Sequence, residues 1–158
     1  MIRSAQKTEM IEIYMMGFDV WSESITEDEY LQSCRESKKY SQGSWKVLEK
    51  DGALVSSLIT YKLKSDWIGI GSIATPTKLR CRGFAAELIT GIIDNLKSLS
   101  TVSTIFLFSD INPSYYHRFG FCALEDKHQT KKNTVLMGLS LKGTPAWLAQ
   151  DFFPPTYF

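Results

Sequence analysis

The sequence predicts an α/β sandwich on a mixed sheet, and three observations carry that expectation. Apolar residues recur at helical spacing near the start and again over Gly83–Leu96. Between them the period falls to that of strands, with Asp51-Gly52 as a hairpin signal. Trp67–Thr75, Gly83–Leu96 and Thr104–Phe108 then read as strand, helix and strand, a crossover that places two parallel strands in one sheet.

Taken in order, Ile2–Ala5 is expected to be a short first strand. Thr8 opens a helix, with Ile11, Tyr14, Met15 and Phe18 on one face. Thr26-Glu27-Asp28-Glu29 is a capping-box pattern. It predicts a second helix with acids in its first turn and Arg35, Lys38 and Lys39 near its end, as the helix dipole favours. Trp45–Lys50 and Ala53–Lys62 flank the Asp51-Gly52 turn. Ser65-Asp66 makes a second turn before the strand Trp67–Thr75, and Pro76–Arg82 is a polar, basic loop.

Gly83–Leu96 is the clearest helix. Ala85, Leu88, Ile89, Ile92, Ile93 and Leu96 line one face; Glu87, Thr90, Asp94 and Lys97 line the other. Thr104–Phe108 is wholly apolar, as a buried central strand is. A helical turn over Pro113–Arg118 ends at Gly120. Strands near Phe121–Glu125 and Thr134–Leu141 complete the sheet.

Composition narrows the function classes. Hydrophobic residues make up 44% and charged residues 22% of the 158, a globular balance rather than a disordered one. Eighteen basic residues oppose 17 acidic ones, which argues against binding nucleic acid or a membrane surface. Cys34, Cys81 and Cys122 show no metal-ligand spacing and read as reduced thiols of a cytoplasmic protein. His117 and His128 have no metal partner set, so no metal is expected. The opening residues do not form a signal peptide, and no apolar run approaches a membrane span. The chain is expected to be one domain over 1–158, with 142–158 an aromatic tail.

The chemistry is expected at Ile70–Ala86, where a strand ends, a basic loop follows and Gly83 opens an amphipathic helix. A helix N-terminus presents backbone N–H groups without partners inside the helix, and its dipole favours an anion such as a pyrophosphate. Gly83 allows close backbone approach, Ala85 and Ala86 keep the first turn small, and Lys78, Arg80 and Arg82 add positive charge. Cys81 also invites a nucleophile reading, but no partner histidine is evident.

Arg80-Cys81-Arg82-Gly83-Phe84-Ala85 resembles the pyrophosphate motif Q/R-x-x-G-x-G/A of the GNAT superfamily of acyl-CoA N-acyltransferases. Tyr116-His117-Arg118-Phe119-Gly120-Phe121 resembles that family's Y-x-x-x-G-F ending. The element order agrees over about residues 2–141. The resemblance implies a mostly antiparallel mixed sheet of six to seven strands flanked by about four helices. It also implies acetyl-CoA as co-substrate and a small-molecule or protein amine as acceptor. Ile73, Ala74 and Thr75 would pair with the pantetheine arm, and the N–H of Ile73 could polarise the thioester carbonyl. Arg80, Cys81, Arg82, Gly83, Phe84, Ala85 and Ala86 would hold the pyrophosphate. Tyr116 would protonate the departing thiolate. Ser109 stands where many members carry a coenzyme-contacting asparagine; Asn112 is nearby but out of register.

Asp110 is the first candidate for the general base, with Asp66, Ser72 and His117 behind it; Asp110 could equally cap the following turn. Tyr14, Trp21, Tyr30, Trp45 and Tyr61 are candidates for lining an acceptor groove. The tail, with Trp147, Phe152, Phe153, Tyr157 and Phe158, is too aromatic to stay free in water. It is expected to dock on its own or a partner subunit, which makes a homodimer an option. The competing reading is a non-catalytic acyl-CoA-binding sensor that keeps the Arg80–Ala86 site without needing Tyr116.

Overall fold

Asp51 and Gly52 take positive φ of 49° and 78°, the mirror-image turn that matches the twist of paired strands. In the computed structural model, which describes residues 1–64 and 66–158, this turn joins β2 (Ser44–Lys50) to β3 (Ala53–Lys62). β1 (Ile2–Ser4) pairs antiparallel with β2. β4 (Trp67–Ala74) pairs parallel with β5 (Thr104–Ser109), Trp67 to Ile70 against Thr104 to Leu107. β7 (Val135–Ser140) lies antiparallel between β5 and the short β6 (Cys122–Ala123). The sheet order is thus β1-β2-β3-β4-β5-β7-β6, a mixed and mostly antiparallel sheet of seven strands. The expected turn at Ser65-Asp66 includes Ser65, which lies outside the described residues.

Six α-helices lie among the described residues, because each of the first two expected helices is divided. The first becomes α1 (Met10–Met15) and α2 (Phe18–Trp21), parting at Met16-Gly17. Gly17 is buried against the Trp21 ring, so a side chain there would clash. Ile13 and Met16 point inward and Ile11 is exposed, so the buried face is rotated from the expected one. This segment is apolar nearly all round, so its period does not fix its phase.

The second expected helix begins as predicted. The Thr26 hydroxyl accepts from Glu29 N–H, and the Glu29 carboxylate accepts from Thr26 N–H at 2.9 Å. It ends at Glu36 as α3 (Glu27–Glu36), and Ser37 then turns extended. The Ser37 hydroxyl accepts from Tyr40 N–H and caps α4 (Lys38–Gln42). Lys38 and Lys39 therefore start a helix instead of ending one. α5 (Phe84–Ser98) carries the long amphipathic run, with Leu88, Ile89, Ile92 and Ile93 buried. α6 (Ser114–His117) is the expected short turn.

The described residues group into two compact units, Met1–Thr60 with Ser72–Ile92, and Tyr61–Gly71 with Ile93–Phe158. In the first, Arg3 is clamped by Glu9 and Glu49, which ties β1 to its neighbours. In the second, Trp67, Phe106, Leu124, Leu136 and Phe152 form an aromatic-rich core. The tail packs on this unit: Phe152 lies beside Trp67 and Phe106, Trp147 covers Gly138, and Phe158 covers Gly69. Both glycines leave room for a ring, since a Cβ at either would collide with it. Truncation of Phe152 to alanine removes a buried ring from this core. It is expected to lower unfolding free energy by about 3 kcal/mol, which urea denaturation of the two proteins measures.

Candidate functional site

In the first unit, β4 runs into the loop that precedes α5. Ser72 takes a φ of 44° within the strand, which marks a local irregularity just before Ile73. Ala74 and Thr75 are buried at the strand's end and are held by a polar relay. Ser56 on β3 donates its hydroxyl hydrogen to the Ala74 carbonyl at 2.9 Å, and Thr75 Oγ1 donates to Ser56 Oγ at 3.1 Å. Ser56 is fully buried, so this relay satisfies a polar group that the core would otherwise strand.

Beyond Pro76 the loop makes a 3₁₀ turn at Thr77–Leu79, then reverses through positive φ at Cys81 (59°) and Gly83 (83°). The hydrogen-bond ladder of α5 begins when Glu87 N–H reaches the Gly83 carbonyl at 2.9 Å. The N–H groups of Phe84, Ala85 and Ala86 therefore have no acceptor inside the helix. Cys81, Arg82 and Gly83 are exposed, and Phe84, Ala85 and Ala86 are half-buried. A run of N–H groups at a helix start, reached through left-handed residues, is a concave anion receptor. Nothing lies within 4 Å of a Cβ built on Gly83, so only its backbone angle demands glycine.

Arg80 does not reach out from this loop. Its Nε donates to the Thr75 carbonyl at 3.0 Å, and Nη1 and Nη2 donate to the two oxygens of Asp19 at 2.7 Å each. Thr77 Oγ1 also donates to Asp19, at 3.1 Å. The Arg80 guanidinium beside Asp19 holds that carboxyl below the usual carboxylate range. The side chains are 35% and 42% exposed, so the pair contributes little to global stability, about 0.5–1 kcal/mol. Sequence reading missed Asp19. It stands 61 residues from Arg80, in the first turn of α2, where an acid reads simply as a partner for the helix dipole. Ser56 was missed too; a serine pair in an apolar strand was its only signal.

In the second unit, Tyr116 sits on α6 and is 8% exposed. The motif around it is a helix-ending device. Gly120 takes a φ of 91°, Gly120 N–H bonds the His117 carbonyl, and Phe121 N–H bonds the Tyr116 carbonyl. That pattern closes the helix and turns Phe121 back onto the Tyr116 ring, at 6.2 Å between centroids. Burial, with smaller contributions from Tyr115 and Asp110, pushes the Tyr116 hydroxyl up to about 12. It is therefore a phenol that keeps its proton at neutral pH.

Asp110 is exposed and does not cap α6. Asn112 makes the turn instead, accepting from Ser114 N–H at 3.0 Å. Ser109 is buried and donates its hydroxyl to the Ile111 carbonyl at 2.8 Å. Asp66 accepts from Ser103 Oγ at 2.5 Å and lies at the opening of β4, not at its Ile73–Ala74 end. His117 is exposed on α6.

The aromatic groove candidates separate. Trp21 and Tyr30 line an open cleft of about 210 Å³ in the first unit, together with Tyr40, Ser33 and Ser37. Tyr14 and Trp45 pack on Tyr40, whereas Tyr61 belongs to the second unit and meets Phe158. Among the described residues no cluster of three or more His, Cys, Asp or Glu is placed to hold a metal, and no helix is long and apolar enough to cross a membrane.

Residues 7–121 match the acetyltransferase (GNAT) family. No curated protein matches the sequence. Several solved structures share the fold. N-acetylglutamate synthase from Neisseria gonorrhoeae, complexed with coenzyme A and N-acetyl-glutamate, aligns with a TM-score of 0.67 at 18% identity, over 90% of this chain and 35% of its own. The chain thus spans about a third of that enzyme. A GNAT family N-acetyltransferase from Escherichia coli in complex with CoA aligns at 0.66 and 18% identity, over 90% of this chain and 81% of its own. The ribosomal-protein-S18-alanine N-acetyltransferase from Escherichia coli aligns at 0.65 and 16% identity, over 97% and 98%.

Replacing Gly83 by alanine puts a Cβ on a left-handed residue at the head of α5. The expected result is a loss of about 1 kcal/mol in stability and weaker binding of coenzyme A, measured by denaturation and by titration calorimetry.

Proposed function

The chain belongs to the GNAT acetyltransferase family, and from that premise we propose that it transfers an acetyl group from acetyl-CoA to a primary amine, of a small molecule or a protein. The observation that carries this reading is the strand-to-helix connection of the first unit, where Gly83 opens α5 with its first N–H groups unclaimed by the helix. In the proposed roles, backbone groups of Ile73, Ala74 and Thr75 pair with the pantetheine arm. The N–H groups from Cys81 to Ala86 receive the pyrophosphate, with Arg82 exposed beside them. Ser109, whose hydroxyl donates to the Ile111 carbonyl, would contribute a coenzyme contact.

The amine nitrogen attacks the thioester carbonyl carbon. A C–N bond forms, the C–S bond breaks, the thiolate takes a proton from Tyr116, and the proton lost by the acylated nitrogen returns through solvent to the Tyr116 phenolate. Holding both reactants together supplies much of the rate. The amine must first be neutral, and deprotonating a lysine-like amine at pH 7 costs about 4.6 kcal/mol. Asp110 is the proposed base, directly or through water. Three features support the assignment of Tyr116 as acid. The side chain is buried, burial pushes its hydroxyl up to about 12 so that it is protonated at neutral pH, and the Gly120–Phe121 reversal fixes its ring. The solved relatives include an N-acetylglutamate synthase complexed with N-acetyl-glutamate and a ribosomal-protein-S18-alanine N-acetyltransferase, and an amine acceptor here is in keeping with both. Free Cys34, Cys81 and Cys122 fit a cytoplasmic setting.

The test is incubation with acetyl-CoA and a panel of amines, polyamines, amino acids and peptides, with detection of free thiol. Tyr116→Phe keeps the ring and removes the proton. Turnover is expected to fall about 10²-fold with coenzyme binding retained. Because the protonated phenol is the donor and persists below its pKa, the wild-type rate should show no alkaline loss due to Tyr116 below about pH 11. Tight coenzyme binding without thiol release from any acceptor would favour the sensor reading.

A further inference from the structure

Arg80 carries the positive charge that a pyrophosphate loop is expected to offer its ligand, yet every nitrogen of its guanidinium is engaged within the protein. Nε is bound to the Thr75 carbonyl, and the two terminal nitrogens grip both oxygens of Asp19. Two parallel N–H···O bonds fix the guanidinium plane as well as its position. The Nε bond closes a ring across the loop from residue 75 to residue 80. Within it, Leu79 N–H bonds the Pro76 carbonyl at 2.7 Å, and Thr77 bonds the same Asp19 carboxylate. Asp19 itself is fixed on α2, far away in sequence.

We infer that Asp19 is a positioning residue for the coenzyme, holding Arg80 as a brace that sets the shape of Thr75–Gly83 instead of leaving it as a counter-ion for the pyrophosphate. The inference rests on the proposed function, since it concerns the same site. Its physical content is a difference in sign. The Asp19 carboxylate cancels the Arg80 charge locally, so as a counter-ion Arg80 would bind phosphate better once Asp19 was removed. As a brace, it loses its anchor when Asp19 is removed, the Thr75–Arg80 ring loosens, and the N–H groups at the head of α5 lose their arrangement. Ordering them again on binding then opposes affinity. The anion would be held by backbone N–H groups and by Arg82, not by the Arg80 side chain.

The experiment measures coenzyme A binding by calorimetry, and KM and kcat for acetyl-CoA, in the wild type, Asp19→Ala, Arg80→Ala, the double variant and Asp19→Glu. Thermal melting checks that each variant is folded. The expected result is a weakening of binding by about five- to tenfold in each single variant. The double variant should be no weaker than either single one, because one unit has been broken twice. KM should rise with kcat at saturation close to wild type, and Asp19→Glu should recover part of the loss, which a general folding defect would not do. Tighter or unchanged binding in Asp19→Ala, or additive losses in the double variant, would overturn the inference. If the wild type binds no coenzyme A, the functional reading fails and this inference falls with it; if the wild type binds and Asp19→Ala binds equally well, only the inference fails.

Discussion

An α-helix cannot satisfy the N–H groups of its own first turn, and the loop before α5 is built around that constraint. The chain leaves β4, makes a 3₁₀ turn, and passes through two left-handed residues, Cys81 and Gly83, before the ladder starts at Glu87. The N–H groups of Phe84, Ala85 and Ala86 are presented together as a result. Small side chains at 85 and 86 keep the approach open. An anion is the natural partner for such a receptor. Two sets of contacts hold the loop in place: Ser56 and Thr75 bond at the end of β4, and Arg80 ties Thr75 to Asp19. The match to the acetyltransferase (GNAT) family, over residues 7–121, includes this loop.

The second unit is organised differently. Its centre is aromatic, and the last fifteen residues complete it instead of hanging free. Gly69 and Gly138 are the places where strand backbone gives way to rings of the tail. Lys131 lies over the Tyr157 ring at 3.0 Å, which adds a cation–π contact to the apolar burial. Tyr116 takes its fixed orientation from the Gly120–Phe121 reversal and its retained proton from burial. One short motif thus ends the helix and fixes the buried ring.

The features legible in the sequence were those that depend on neighbouring residues. Asp51-Gly52 announced its turn, Thr26–Glu29 its cap, and Gly83 the head of the long helix, because each acts within a few positions. The two divided helices were hidden for particular reasons. Gly17 breaks the first by packing against Trp21, and Ser37 breaks the second by capping α4. The apolar run Met10–Phe18 did not reveal its buried face, since it has few polar positions to mark the other side. The placement of β7 between β5 and β6 could not be read from strand order alone. Within the candidate site, the backbone receptor was legible but its support was not. Asp19 and Ser56 reach the loop through the fold, and no spacing rule connects them to Arg80 or Thr75.

In the proposed function, backbone N–H groups at the head of α5 receive the coenzyme's pyrophosphate. The most direct measurement is a two-dimensional amide NMR titration of isotope-labelled protein with coenzyme A, compared with pantetheine, which lacks the diphosphate. The largest coenzyme-specific shifts are expected on the amides of Gly83, Phe84, Ala85 and Ala86, with pantetheine leaving those amides nearly unmoved. Coenzyme A binding with those four amides unchanged would contradict that role.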